Sequence, residues 1–355
     1  MRTAAFILLF CLLLTAPALA VDTDALEQAM PESARDILGD VTVRDSLSAE
    51  RLWERVWSWV QQTVSDQLGS AARSACVALA VTLLCSAAGA VSSDGKVPEY
   101  VLLGGALAIM SVCAGDIRSF LSQVQAALTD LSDFSKALLP TMAGAAAAGG
   151  HGAAGAARYA ASALFLDVLM NVGTRAVMPM IYAYAAASTA NAALPGGALG
   201  GPVKLIGWGC TTVLTALTTV FTLGLSVTGV IAGHADKVAG SLTKTAISAA
   251  LPVVGSILAD AADTYLAGAA LLRGAVGIFG LGAVLCVCLG PIVTLGLHYL
   301  LFKAAACVAE PFAEGRLAAL VGNIGTAYGM ALGLIGSAGA MLFVSIVLST
   351  EAIGL

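Results

Sequence analysis

Charge is what this chain has least of. Only 11% of its 355 residues are Asp, Glu, Lys or Arg, against roughly 25% in an ordinary soluble domain. Hydrophobic residues make up 59% and the mean hydropathy is +0.91. So little polar surface excludes a soluble globular fold and requires burial in lipid. No basic patch of the kind nucleic-acid binding needs is present. The 3 histidines and 8 cysteines show no CxxC pair and no metal-ligand spacing, which speaks against a metal site. Cys76, Cys85, Cys113, Cys210, Cys286, Cys288 and Cys307 sit in apolar runs and read as free thiols acting as small hydrophobes. A dinucleotide or phosphate loop and a nucleophile elbow are missing too, so neither enzyme nor cofactor is expected. There is no full-length repeat to support an inverted-repeat transporter.

The few charges are unevenly placed. Residues 21–70 hold ten acidic and four basic side chains, a balance of −6, and residues 71–355 hold twelve of each. Met1–Ala20 has one early arginine, an apolar centre and Ala18-Leu19-Ala20, the pattern of a cleaved secretory signal. Residues 1–20 are therefore expected to be a signal peptide and 21–70 a short extracytoplasmic amphipathic helical segment. Residues 71–355 are expected to be a multi-span helical membrane domain. In Ser48–Leu68, Leu52, Val56, Val60 and Val64 recur at helical spacing, and Trp53, Trp57 and Trp59 crowd the same stretch. Tryptophan favours membrane–water interfaces, so this helix is expected to lie on the outer surface before the first span. An ordinary packing face is the alternative.

Apolar runs then mark out the spans. Ser74–Val91 and Tyr100–Ala114, the latter starting near Val97, are separated by a polar turn holding Asp94 and Lys96. Asp116–Ala137 is amphipathic, with Phe120, Val124, Leu128 and Leu131 on one side, and should lie along the surface or pack on the bundle. Leu138–Ala157 is dominated by alanine and glycine, a short or re-entrant segment. Tyr159–Leu169 and Ala176–Ala190 flank a break at Asn171–Arg175, with Asp167 and Arg175 as candidates to pair. After a flexible Leu194–Pro202 linker come Leu205–Ala232, Ala275–Phe302 (interrupted at Gly290-Pro291) and Gly325–Thr350. Lys303 and Glu310 bracket Ala304–Ala309. Gly325, Gly329 and Gly333 form a small-xxx-small ridge, a helix-contact signal in apolar surroundings.

The most polar stretch of the body surrounds Pro252-Val-Val-Gly255. Before it, Lys237, Ser241, Lys244 and Ser248 recur at i, i+4, i+7 and i+11; after it, Ser256, Asp260, Asp263 and Thr264 recur in the same way. If Pro252 and Gly255 form a hinge that turns the chain back, a cationic and an anionic stripe face each other. A charge at the centre of a bilayer costs roughly 2.5–3.5 kcal/mol on insertion scales, so pairing or a wet cavity is the functional reading. A solvated stripe at the membrane surface is the structural one. Asp260 and Asp263 lack the companions a catalytic carboxylate pair needs.

The run Lys244-Thr-Ala-Ile-Ser-Ala-Ala-Leu-Pro-Val-Val-Gly255, with Ser256-Ile-Leu-Ala-Asp-Ala-Ala-Asp263 and Leu271-Leu-Arg-Gly-Ala-Val-Gly-Ile-Phe-Gly280, resembles the stage III sporulation protein AE family. Pro291 and Ala304–Pro311 add to the agreement, while Asp236-Lys237 stands where that family commonly has Asp-Gly. The resemblance implies an all-α, polytopic component of the mother-cell membrane around the forespore. It implies a non-catalytic channel or scaffold subunit of a secretion-like complex. Its partners would be the other stage III sporulation A-operon membrane proteins, indirectly the forespore-side channel partner, and the lipid bilayer. The rival expectation is a secondary transporter of a small solute or ion using Asp260, Asp263 and Arg273.

Overall fold

The computed structural model describes residues 28–38, 49–91, 97–148, 152–221, 223–224, 255–313 and 315–351. Among them there is no strand. A short helix α1 (Glu32–Leu38) precedes the long helices α2 (Ala49–Val91) and α3 (Glu99–Ala148). Next come α4 (Gly152–Val172), a π-helical turn (Gly173–Val177) and α5 (Met178–Ala193). A 3₁₀ turn at Pro195–Gly197 leads to α6 (Gly200–Phe221), and α7 (Gly255–Ala309) and α8 (Gly315–Glu351) close the bundle. Six helical stretches are long and apolar enough to cross a membrane: Glu54–Ala88, Glu99–Gly144, Ala160–Ala193, Gly200–Phe221, Phe279–Ala309 and Gly315–Val347. The proposed signal peptide, Lys237, Lys244 and Pro252 lie outside the described residues.

The helices are longer than the sequence pattern implied. The interfacial segment and the first span are one 43-residue helix, α2. The second span and the amphipathic Asp116–Ala137 are one 50-residue helix, α3, which continues through Pro140. Nothing between Leu68 and Ser74 but Gly69 weakens α2, and one glycine costs a helix only about 1 kcal/mol. The expected break at Asn171–Arg175 is a π turn that keeps α4 and α5 in line. Gly173 sits there against Leu334 and Leu128, where an added Cβ would meet Leu334 at 3.0 Å. Asp167 accepts a 3.2 Å hydrogen bond from Asn171, and among the described residues no ion pair joins it to Arg175. Gly290-Pro291 does not interrupt α7; neighbouring helices re-satisfy the backbone a proline frees, and the Trp59 ring lies beside Gly290. The Leu194–Pro202 linker is a tight turn. Gly196 and Gly197 take φ of 72° and 64°, left-handed values that favour glycine.

α7 and α8 pack side by side as the bundle's broadest contact, with α2 and α3 against α7 and α5 against α8. The core runs along these seams: Phe120, Val124, Leu128 and Leu131 of α3 are all buried, with Val284 and Val287 of α7 and Leu334 and Ile335 of α8. The amphipathic half of α3 thus packs on the bundle. α1 docks through Ala34 and Ile37, and Ser33 Oγ donates to Asp130 Oδ2 of α3 at 3.0 Å. Of the described cysteines, Cys113, Cys210, Cys286 and Cys288 are buried as expected, but Cys76 and Cys307 are exposed.

Outward faces change character along the helices. On α3, Tyr100, Leu103, Leu107 and Val112 are exposed, then from Arg118 onward Ser122, Gln123, Gln125, Thr129, Asp133 and Lys136 take over. On α2 the order runs the other way, with Glu54, Arg55, Gln61, Gln62 and Asp66 exposed first and Val77 and Leu84 later. Since α2 and α3 form an antiparallel hairpin, the two polar faces lie at the same end, about 18 Å long on α2 and about 27 Å long on α3 at 1.5 Å per residue. α4 and α6 also expose large apolar side chains, Leu164 and Val168 on α4 and Leu205 and Trp208 on α6.

Candidate functional site

The sequence-derived candidates divide among three places. Gly255 begins α7, and Asp260, Asp263 and Arg273 follow on its N-terminal half, while their proposed counterparts Lys237 and Lys244, and the hinge Pro252, fall outside the described residues. Trp53, Trp57 and Trp59 all ride on α2, on its polar-faced half. Trp57 is 52% exposed and Trp59 packs against the core. Gly325, Gly329 and Gly333 lie along α8 and face α7 and α6.

That glycine row shapes a cleft in the bundle. A Cβ on Gly325 would meet Phe302 Cβ at 3.3 Å and the Lys303 backbone nitrogen at 3.4 Å. One turn on, a Cβ on Gly329 would meet the Tyr299 ring at 3.1 Å, and one on Gly333 would meet Leu214 at 3.5 Å. The missing side chains let α7 lie against α8 and leave a cleft of about 820 Å³ between α6, α7 and α8. Its α6 wall carries Thr211, Thr215, Thr218 and Thr219 at helical spacing, and its α7 wall carries Tyr299 and Lys303. Thr326 and Ser337 of α8, with Leu214, Met330 and Leu332, complete the lining.

Lys303 supplies the cleft's charge. Its Nζ donates to Thr326 Oγ1 at 2.8 Å, and that hydroxyl donates onward to the Gly322 carbonyl at 3.0 Å. Among the described residues no carboxylate reaches the ammonium. Thr211, Thr218 and Thr219 donate to carbonyls of their own helix, at Gly207, Leu214 and Thr215. In the sequence Lys303 only brackets a short apolar run. The spacing Thr211, Thr215, Thr218 was the available signal; which helix it faces was not.

A second polar cluster sits deeper. Tyr328 of α8 is buried and stacks on His298 of α7, ring centroids 4.9 Å apart, with Phe120 at 4.5 Å and Phe302 at 5.5 Å. His298 Nδ1 donates to the Thr294 carbonyl at 2.8 Å. Tyr328 Oη and Asp116 Oδ2 are buried without a hydrogen-bond partner among the described residues. Tyr184 Oη donates to Asn323 Oδ1 at 3.1 Å, joining α5 to α8. No group of three or more His, Cys, Asp or Glu among the described residues could hold a metal.

Comparison with known proteins gives a family and no fold template. The stage III sporulation protein AE family matches residues 33–352, a span that takes in nearly all of α1 and every helix from α2 through α8. A curated relative from Bacillus subtilis (strain 168), named stage III sporulation protein AE, is 26% identical over 194 residues. That alignment covers 53% of this chain and 47% of the relative, about half the length of each. No solved structure matches the chain.

Proposed function

The chain belongs to the stage III sporulation protein AE family, and from that premise we propose that it is a non-catalytic, multi-pass membrane subunit of the complex that joins mother cell and forespore after engulfment. The observation that carries this reading is the family match across residues 33–352. The subunit acts as channel component or scaffold, in contact with the other membrane proteins encoded with it and, through them, with the forespore-side partner.

The outward faces of α2 and α3 support a role in assembly. A helix that turns polar outward for about 18 Å or more must meet water or protein there, not lipid. α1 docks at that same end through Ser33 and Asp130. With the mature N-terminus extracytoplasmic, the polar faces point into the space between the two membranes, where Trp57 offers an exposed anchor for a partner. The Gly325–Gly333 ridge serves helix packing, and the Lys244/Asp260/Asp263 stripes either close a hairpin or line a polar path.

A clean deletion in the spore-forming host tests the proposal, scored by microscopy and forespore-specific reporter activity. Arrest after complete engulfment, with normal vegetative growth, supports it. Normal sporulation with a nutrient-dependent growth defect overturns it in favour of a secondary transporter, which would then have to move solute when purified and reconstituted alone.

A further inference from the structure

Lys303 lies within the apolar span Phe279–Ala309, six residues from its end, or about 9 Å at helical rise. A cation inside a span is expected to be paired or to line a polar cavity, and its protein partner here is the neutral Thr326 hydroxyl at 2.8 Å. Among the described residues that single bond leaves two ammonium protons for another acceptor. The α6 hydroxyls of Thr211, Thr218 and Thr219 direct their protons into their own backbone, so the lysine is the cleft's charged donor. Leu214, Met330 and Leu332 give the same cleft an apolar wall. On the neighbouring outward face of α6, Leu205 and Trp208 are exposed, as on a lipid-facing surface.

We propose that this cleft seats an anionic phospholipid, its phosphate on the Lys303 ammonium and an acyl chain along Leu214, Met330 and Leu332. The pieces match one amphiphile. There is one positive charge at the depth of a headgroup, an apolar wall running inward from it, and a volume of about 820 Å³. Gly329 and Gly333 keep the floor of the cleft low, because side chains there would fill it. A lysine near the surface attracts acidic lipid by an amount equivalent to roughly fivefold in affinity, which is enough to select a headgroup but not to hold a free ion through dilution.

The test uses the full chain reconstituted in vesicles of equal phosphatidylglycerol and phosphatidylcholine, then extracted in maltoside for native mass spectrometry. Wild type retains phosphatidylglycerol in preference to phosphatidylcholine. Lys303→Gln loses that preference roughly fivefold, Lys303→Arg keeps it, and both keep the helical circular dichroism of the wild type. Equal retention by Lys303→Gln, or no preference in the wild type, overturns the proposal. Inorganic phosphate forms the second arm. If millimolar phosphate raises the wild-type melting temperature as far as phosphatidylglycerol does, and Lys303→Gln abolishes both effects, the site takes free phosphate and the lipid assignment fails. If Lys303→Gln changes the oligomeric mass and leaves lipid retention alone, the lysine pairs with another chain and the assignment fails likewise.

Discussion

Arg316 grips Glu99 with both prongs of its guanidinium, Nη2 to Oε1 at 2.9 Å and Nη1 to Oε2 at 3.1 Å, across 217 positions of sequence. The same Nη1 donates to the Leu194 carbonyl at 2.9 Å. One side chain therefore ties together the start of α3, the end of α5 and the start of α8, and satisfies a carbonyl that the end of α5 leaves open. Arg316→Gln is expected to lower the melting temperature in detergent by more than Glu99→Gln, because it also abandons the Leu194 carbonyl. The double variant should melt where Arg316→Gln melts. Additive losses would show that the two residues act independently.

The three ridge glycines should not respond alike to alanine. Gly325 faces the Lys303 backbone nitrogen and Phe302 Cβ, atoms that cannot swing aside, so Gly325→Ala is expected to cost about 1–3 kcal/mol. Gly329→Ala meets Cδ2 and Cε2 of the Tyr299 ring, which can shift by a few tenths of an ångström, and should cost less. Gly333→Ala makes an ordinary contact with Leu214 and should gain about 0.5–1 kcal/mol from helix propensity. Unfolding of the purified chain in a denaturing detergent series ranks them, and three equal losses would contradict the geometry.

Tyr328 contributes its ring and not its hydroxyl. Removing a buried hydroxyl that lacks a partner avoids a desolvation penalty of about 1–3 kcal/mol. Tyr328→Phe is therefore expected to raise the melting temperature. Tyr328→Ala, which empties the space between Phe120, His298 and Phe302, should cost about 3–5 kcal/mol. A loss on Tyr328→Phe would mean that the hydroxyl has a partner.

The polar stripes around Pro252 make a genetic prediction. Charge reversal at Asp260 is expected to reduce heat-resistant spores, and reversal at Lys244 in the same chain to restore part of the loss. A double variant no better than Asp260→Lys alone would remove the facing hairpin from consideration.

Trp57 and Trp59 are two residues apart and behave differently. Trp59→Ala removes a ring that packs on the core near Gly290 and should destabilise the purified chain. Trp57→Ala should leave its melting unchanged while lowering spore yield, if the exposed ring meets a partner. Equal effects on both measurements would make Trp57 part of the packing as well.

Composition alone determined that this chain belongs in a membrane, because 11% charge cannot cover a soluble surface, and the long apolar runs made its spans helical. The periodicity of Phe120, Val124, Leu128 and Leu131 also named a buried face correctly, since helical spacing puts such residues on one side whatever they later touch. The block around Pro252–Gly280, together with Pro291 and Ala304–Pro311, carried the family resemblance. Other properties needed the tertiary structure. Gly290-Pro291 looks like an interruption, yet α7 runs through it, because contacts along a long helix outweigh one weak position. Lys303 looked like the edge of a span and became the charge of a cleft only when α6 and α8 were placed on either side of it. Local sequence dictates which face of a helix is polar. Which helix that face meets is set by packing between segments far apart in the chain, and that is where Arg316 finds Glu99 and where the glycine ridge makes room for Tyr299.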